Sequence, residues 1–289
     1  MTMTTHDFQT PDHLSVTIDL ACVGDVRITT GDSATTSVDV RPRDAQRSAD
    51  VRAAEQVTVE LLGGLLRIVA QRSWRAASLW GNGGAVDILV ELPAGSDLSA
   101  DLAMGRLDVE GPLGACRVKT GMGNVRVDST DALQARTGFG DVTAGAVAGD
   151  ADLSTGSGAL RVSRIEGDAV IKNSNGEIRL GTVTGTLDAK SANGDITVAQ
   201  AQGSVKAKTA YGSVRVAEVE RGSAALETAY GDVEIGIRTG TAAWLDASSK
   251  SGTVRSSLEA TDSPAESEQT VEVRARTSYG DILIHRSPA

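Results

Sequence analysis

A glycine returns at a near-constant interval from about Asp97 to the C-terminus. The anchors are Gly105, Gly123, Gly140, Gly158, Gly176, Gly194, Gly212 and Gly231, followed by Gly252 and Gly280. The first eight are separated by 18, 17, 18, 18, 18, 18 and 19 residues. Such a period is too short for a helical repeat and predicts a stacked β-solenoid. Each turn of a solenoid contacts only its neighbours, so its core extends in one dimension.

The columns of the repeat support this reading. Two residues after the anchor stand Val125, Val142, Leu160, Ile178, Ile196, Val214, Val233, Val254 and Ile282. Apolar residues recur at every second position on both sides of the glycine, as in Leu187/Ala189 and Val205/Ala207, with polar residues between them. Period-2 alternation sends the apolar columns to one face and the polar columns to the other. Each turn should hold two strands and a third short face near Val183 or Val219. Three residues before the anchor runs a column of Thr120, Thr137, Thr155, Asn173, Ser191, Thr209, Thr228, Ser249 and Thr277. Polar side chains beside a corner are expected to satisfy turn amides and to pair from turn to turn.

Upstream, short alternating runs between residues 14 and 92 read as strands, separated by turn signals such as Gly63-Gly64. The expected organisation is a flexible segment 1–13, an N-terminal β region 14–95 that caps one end, and β-helix repeats over 96–289. The repeats carry an acidic, turn-rich insertion at 256–269. Aromatics make up 3% of the 289 residues, which suits a narrow interior of Val, Ile, Leu and Ala. The net charge of −10 argues against a specific nucleic-acid partner. The two cysteines, Cys22 and Cys116, lie in apolar alternation and read as buried thiols. No stretch approaches the roughly 18 apolar residues of a membrane span. The N-terminal residues lack a basic and then apolar leader; with Met1 as the start, a cytoplasmic location is expected.

Several segments resemble the bacterial DUF4097 family of "putative adhesin" β-strand repeat proteins. They are Gly24–Ile28 (GDVRI), Val90–Gly95 (VELPAG) and the units Thr120–Val125 and Thr137–Val142. The resemblance implies an all-β, single-stranded parallel β-helix, right-handed by default, with an N-terminal β region on one end. It brings no catalytic residues.

Four features could carry a function. One is a basic column four residues before the anchor: Lys119, Arg136, Ser154, Lys172, Lys190 and Lys208, then Glu227. It is either a track for a polyanion or ordinary solubilising charge; the nearest acids in the sequence pattern are Asp152 and Asp188. A second column, Arg126, Arg161, Arg179 and Arg215, lies beside acids and reads as a salt-bridged face. The loop Gln71–Gly84 places Trp74 and Trp80 near Arg72 and Arg75, either covering the first turn or forming an interface. Immediately before the anchors stand Asn175, Asn193, Tyr211 and Tyr230, with Met122, Phe139 and Tyr279 in the same place. These form a corner ladder or a row that holds a sugar or another chain.

Catalysis finds little support. Asp150, Asp152 and Asp168 could approach one another as in polysaccharide-cleaving β-helices, but no histidine accompanies them. His6, His13 and His285 lie near the termini, and no metal or cofactor motif is present in the sequence. The expectation is a non-enzymatic scaffold, without cofactor, acting through self-association at a solenoid end or through protein binding. The alternative is a polyanion- or glycan-binding module.

Overall fold

The alternation of apolar and polar residues dictates strands almost throughout. The computed structural model describes residues 4–10, 13–32, 35–70, 84–258 and 269–287. The chain divides into two compact units, Met1–Ala144 and Gly145–Ala289. Parallel strands stack turn upon turn in each, so the fold is a β-solenoid, with one short helix among the described residues.

The first unit contains β1 (Thr4–Gln9), β2 (Ser15–Gly31), β3 (Thr35–Pro42), α1 (Ser48–Glu55), β4 (Val57–Leu62), β5 (Leu65–Ala70), β6 (Ala85–Pro93), β7 (Asp97–Met104), β8 (Leu107–Met122) and β9 (Val125–Phe139). Strand β10 (Val142–Val147) runs across the division between units. The turns do not stack in sequence order. Residues Ser15–Leu20 lie between Leu65–Ala70 and Asp97–Leu102, parallel to both. Residues Val23–Gly31 pair with Ala85–Pro93, and within them Val26–Thr29 pair with Leu107–Glu110 on the other side.

The N-terminal β region expected over 14–95 is built around a turn of the coil, because β2 stacks in parallel on β7 and β8. The reason is local. Gly24-Asp25-Val26 repeats the Gly-Asp-apolar unit of Gly140-Asp141-Val142 and Gly194-Asp195-Ile196. A Cβ placed on Gly105 would sit 1.9 Å from the carbonyl oxygen of Gly24, so Gly24 heads the anchor column.

Antiparallel strands complete this unit: β4 on β5, β3 on β6 and β1 on β3. Residues 4–9, expected to be part of a flexible tail, are therefore a paired strand. Helix α1 lies between β3 and β4. Its buried Asp50 accepts hydrogen bonds from the amides of Ala85 (3.0 Å) and Asp44 (3.1 Å), which ties the helix to the start of β6.

The second unit contains β11 (Ala151–Ser157), β12 (Leu160–Ile165), β13 (Ala169–Asn175), β14 (Ile178–Val183), β15 (Leu187–Asn193), β16 (Ile196–Ala201), β17 (Val205–Tyr211), β18 (Val214–Val219), β19 (Gly222–Tyr230), β20 (Val233–Ile237), β21 (Thr241–Ser251), β22 (Val254–Ser256), β23 (Gln269–Tyr279) and β24 (Ile282–Arg286). One face stacks β11, β13, β15, β17 and β19 in parallel register. The next stacks β12, β14, β16, β18 and β20. Val183, Ala201, Val219 and Ile237, which end β14, β16, β18 and β20, pair from turn to turn and are buried.

At its C-terminal end the order changes. Strand β19 pairs with β23 and β20 with β24, while β21 and β22 lie on the far side of these two. The last strands in the sequence are thus held between two earlier turns. The anchors stack as Gly231, Gly280, Gly252, and not in sequence order. The Gly231 amide donates to Tyr279 O (2.9 Å) and the Gly280 amide to Ser251 O (3.1 Å). Most of the insertion expected at 256–269, residues 259–268, lies outside the described residues.

The anchor glycine answers two demands together. Gly123 has φ +151°, and a Cβ there would lie 1.7 Å from the carbonyl oxygen of Gly105 on the neighbouring turn. Only a residue without a side chain fits such a corner.

Candidate functional site

The structure separates polar columns that hold the coil together from columns that face solvent with capacity to spare. The polar column before the corner belongs to the first kind. Thr209 Oγ1 donates to Gly194 O (3.0 Å), Thr228 Oγ1 to Gly212 O (2.8 Å), Thr277 Oγ1 to Gly231 O (2.9 Å) and Ser249 Oγ to Gly280 O (2.9 Å). Asn173 does the same through Nδ2 to Gly158 O (3.0 Å). The partners are anchor carbonyls, not the turn amides expected from the sequence. Thr120 and Ser191 are exceptions, with hydroxyl oxygens buried and unpartnered.

Carboxylates of the corner are equally engaged. Asp195 Oδ1 accepts from the Ser213 amide, Asp232 Oδ1 from the Asp281 amide and Asp281 Oδ1 from the Thr253 amide, each at 2.8 Å. At another corner Asp150 accepts from the Asp168 amide (2.9 Å) and Asp168 from the Thr186 amide (2.7 Å). These carboxylates serve backbone amides of the next turn. Among the described residues no three His, Cys, Asp or Glu side chains gather as a metal site requires. The side of the second unit lined by Asp195, Arg215, Asp232, Glu234, Arg255 and Asp281 carries a groove of about 370 Å³. Several of its charges are matched within it, as in Arg215–Glu234 at 2.7 Å.

The basic column stacks in the expected register. Lys119 lies beside Arg136 in the first unit, and Ser154, Lys172, Lys190, Lys208 and Glu227 follow one another in the second. It is nevertheless better neutralised than the sequence suggests. Lys119 meets Asp101 at 3.3 Å, Lys190 meets Asp188 at 3.0 Å and Lys208 meets Glu227 at 3.0 Å. Glu227 stands in the column as read from the sequence, and Asp101, four residues before Gly105, extends it by one turn. In the second column, Arg161 and Arg179 both pair with Glu177.

The residues before the anchors form an exposed stripe. In the first unit Met104, Met122 and Phe139 stand in register, all exposed. In the second, Asn175 and Asn193 are joined by an amide hydrogen bond of 2.9 Å. Above them Tyr211, Tyr230 and Tyr279 stack with ring centroids 5.0 and 4.9 Å apart and planes within 4°. Their exposures are 58%, 48% and 54%. Tyr279 joins Tyr230 directly because β23, and not β21, stacks on β19.

Trp74 and Trp80, with Arg72 and Arg75, lie outside the described residues. A third tryptophan, Trp244 on β21, is 61% exposed on the outermost turn. Sequence reasoning passed over it; the available signal was a tryptophan in a column otherwise filled by small or polar residues. Of the cysteines, Cys116 is buried and Cys22 only half-buried. Burial pushes the Cys116 thiol up to about 12 and raises that of Cys22 as well. No helix among the described residues is long and apolar enough to cross a membrane.

No curated protein matches this chain. Among solved structures, it is similar to a "putative adhesin" from Bacteroides fragilis, at 14% identity over 98% of this chain and 97% of that one, with a TM-score of 0.39. It is also similar to a "putative adhesin" from Parabacteroides distasonis, at 13% identity over 98% and 97% of the two chains, TM-score 0.36. A "putative lipid binding protein" from the same species matches at 13% identity over 99% and 97%, TM-score 0.34. The family model described as Toastrack DUF4097 matches residues 13–287, nearly the whole chain, and the protein belongs to that family.

Proposed function

We propose that this protein is a non-enzymatic scaffold that binds another protein along the tyrosine stripe of its second unit. The observation that carries this reading is the stack of Tyr211, Tyr230 and Tyr279, each about half exposed on a rigid corner. Aromatic side chains held in one arrangement bind without the entropy cost of ordering them, which is why such residues dominate interfaces. The rings face one another, so their faces are largely occupied. What they offer outward is ring edges and hydroxyls, a surface suited to a protein patch more than to a sugar ring laid flat.

The polyanion alternative has less support. Lys119, Lys190 and Lys208 each have an acidic partner, which weakens the field a polyanion would follow. No reactive constellation accompanies the stripe, since the nearby carboxylates hold backbone amides.

A photo-reactive residue at Ala229, beside Tyr230, tests the reading in the native host. Protein adducts are expected from the otherwise unaltered chain. They should vanish when Tyr211, Tyr230 and Tyr279 are all replaced by Ser, and persist when Lys172, Lys190 and Lys208 are replaced by Glu. Absence of adducts, or adducts that follow the lysines, would reject it.

A further inference from the structure

Among the described residues the outermost turn of the second unit has an open edge, and its sequence matches itself. In each turn the amide of the first core column points to the following turn. Ala151 N donates to Asp168 O (2.9 Å), Ala169 N to Thr186 O (2.8 Å) and Leu187 N to Ser204 O (2.9 Å). The same column continues through Ala224 and Val273 to Leu245. Among the described residues, β21 pairs with β23 alone. Leu245, Ala247 and Ser249 therefore direct their N–H and C=O groups to an edge where another strand can add.

We propose that this edge joins a second copy of the chain, β21 against β21 in antiparallel pairing about a two-fold axis at Ser248. Three properties of the strand select this partner and this register. A two-fold contact must be self-complementary. Centred on Ser248, it sets Asp246 opposite the second copy's Lys250, and does so twice. Both side chains lie on the outer face; Asp246 meets Arg274 and Arg276 within its own copy, and Lys250 has no charged partner there among the described residues. A shift of two residues loses this match, and a shift of four sets Asp246 on Asp246 or Lys250 on Lys250, which is repulsive.

The second property is size. Ala247, Ser248 and Ser249 are small, so the backbones can approach, and Ala247 faces the second copy's Ser249 as a hydrogen-bonded pair. The strand also carries no proline to blunt its edge. Third, Trp244 falls opposite the second copy's Gly252, where no side chain opposes it. This buries the large exposed ring of the turn. The core side gains too, because Leu245 is only half-buried at the open end. Ile284, further inside, is buried beneath β22 and takes no part. This contact is independent of the tyrosine stripe.

The test is the solution mass of the full chain and its dependence on three substitutions. A dimer is expected at micromolar concentration. Lys250→Asp places carboxylates opposite Asp246 at both symmetric positions and should weaken dimerisation by about tenfold; Lys250→Arg should preserve it. In a Cys22→Ser background, Ser248→Cys lies on the axis, within disulfide reach of its own copy. It should cross-link under mild oxidation, whereas Lys206→Cys on the middle of the coil should not. Circular dichroism reports whether each variant keeps its fold. A monomeric chain, or a dimer indifferent to Lys250→Asp with no cross-link at Ser248→Cys, overturns the proposal. So does a mixed assembly that requires a different protein at the edge.

Discussion

The hydroxyl of Thr228 donates to the carbonyl oxygen of Gly212 on the neighbouring turn, at 2.8 Å. The glycine leaves room for the approach, and the threonine, buried on the core side of the corner, supplies the donor. The same relation links Thr209 to Gly194 and Thr277 to Gly231, so three successive corners are fastened by one device.

Replacing Thr228 by Val keeps the shape and removes the donor. The Gly212 carbonyl loses this partner, and the expected cost is about 1 kcal/mol, the usual net worth of such a bond. Equilibrium urea unfolding should show a lower midpoint with an unchanged slope. Thr228→Ser keeps the hydroxyl and should cost less. Equal losses for Val and Ser would mean that packing of the methyl group, and not the hydrogen bond, is what the column provides.

The two cysteines should differ in reactivity. The thiolate is the nucleophile, and burial holds the Cys116 thiol at about 12. Maleimide at neutral pH should label Cys22 slowly and Cys116 only on unfolding, as resolved by peptide mass spectrometry. The same shift makes the first unit sensitive to alkali. Above the ordinary thiol value of 9.0, the unfolded chain loses a proton that the folded chain retains. Stability from this group is therefore intact below pH 9 and declines above it. Cys116→Ala should remove that part of the decline, and equal labelling of both native thiols would contradict the burial argument.

Acid should act on the outermost turn through Asp281. The amide of Thr253 donates to its carboxylate, which lowers its proton affinity below the ordinary 3.8. A depressed folded value means that the stabilisation is complete above 3.8 and is lost as pH falls through the lower, folded value. Amide exchange at Thr253, followed by NMR during acid titration, should accelerate in that range. Asp281→Asn should flatten the response, and an unchanged titration in that variant would assign the acid sensitivity elsewhere. Asp246, lowered chiefly by its hydrogen bond to Arg276, reinforces the same direction on β21.

The period, the strand alternation and the columns were legible in the sequence because they are local. A strand turns its side chains alternately whatever lies beside it, and a corner that admits only glycine declares itself in every repeat. The ranges of β11–β20 and the burial of Val214, Ile196 and Ile178 follow directly from that pattern. The stacking order does not. Every turn presents the same columns, so β23 fits β19 as well by pattern as β21 does, and β2 fits between β5 and β7 without any signal in its own residues beyond Gly24-Asp25-Val26.

The charge pairs of the candidate surface did not depend on that order, since Lys119–Asp101 and Lys208–Glu227 join turns that follow one another in the sequence. The stripe did depend on it, because Tyr279 reaches Tyr230 across 49 residues of sequence. The sequence alone determined what one turn of this protein is, through side-chain alternation and the size of its corner. Only the tertiary structure decided which turn lies next to which, because hydrogen bonds between parallel strands carry no record of sequence distance.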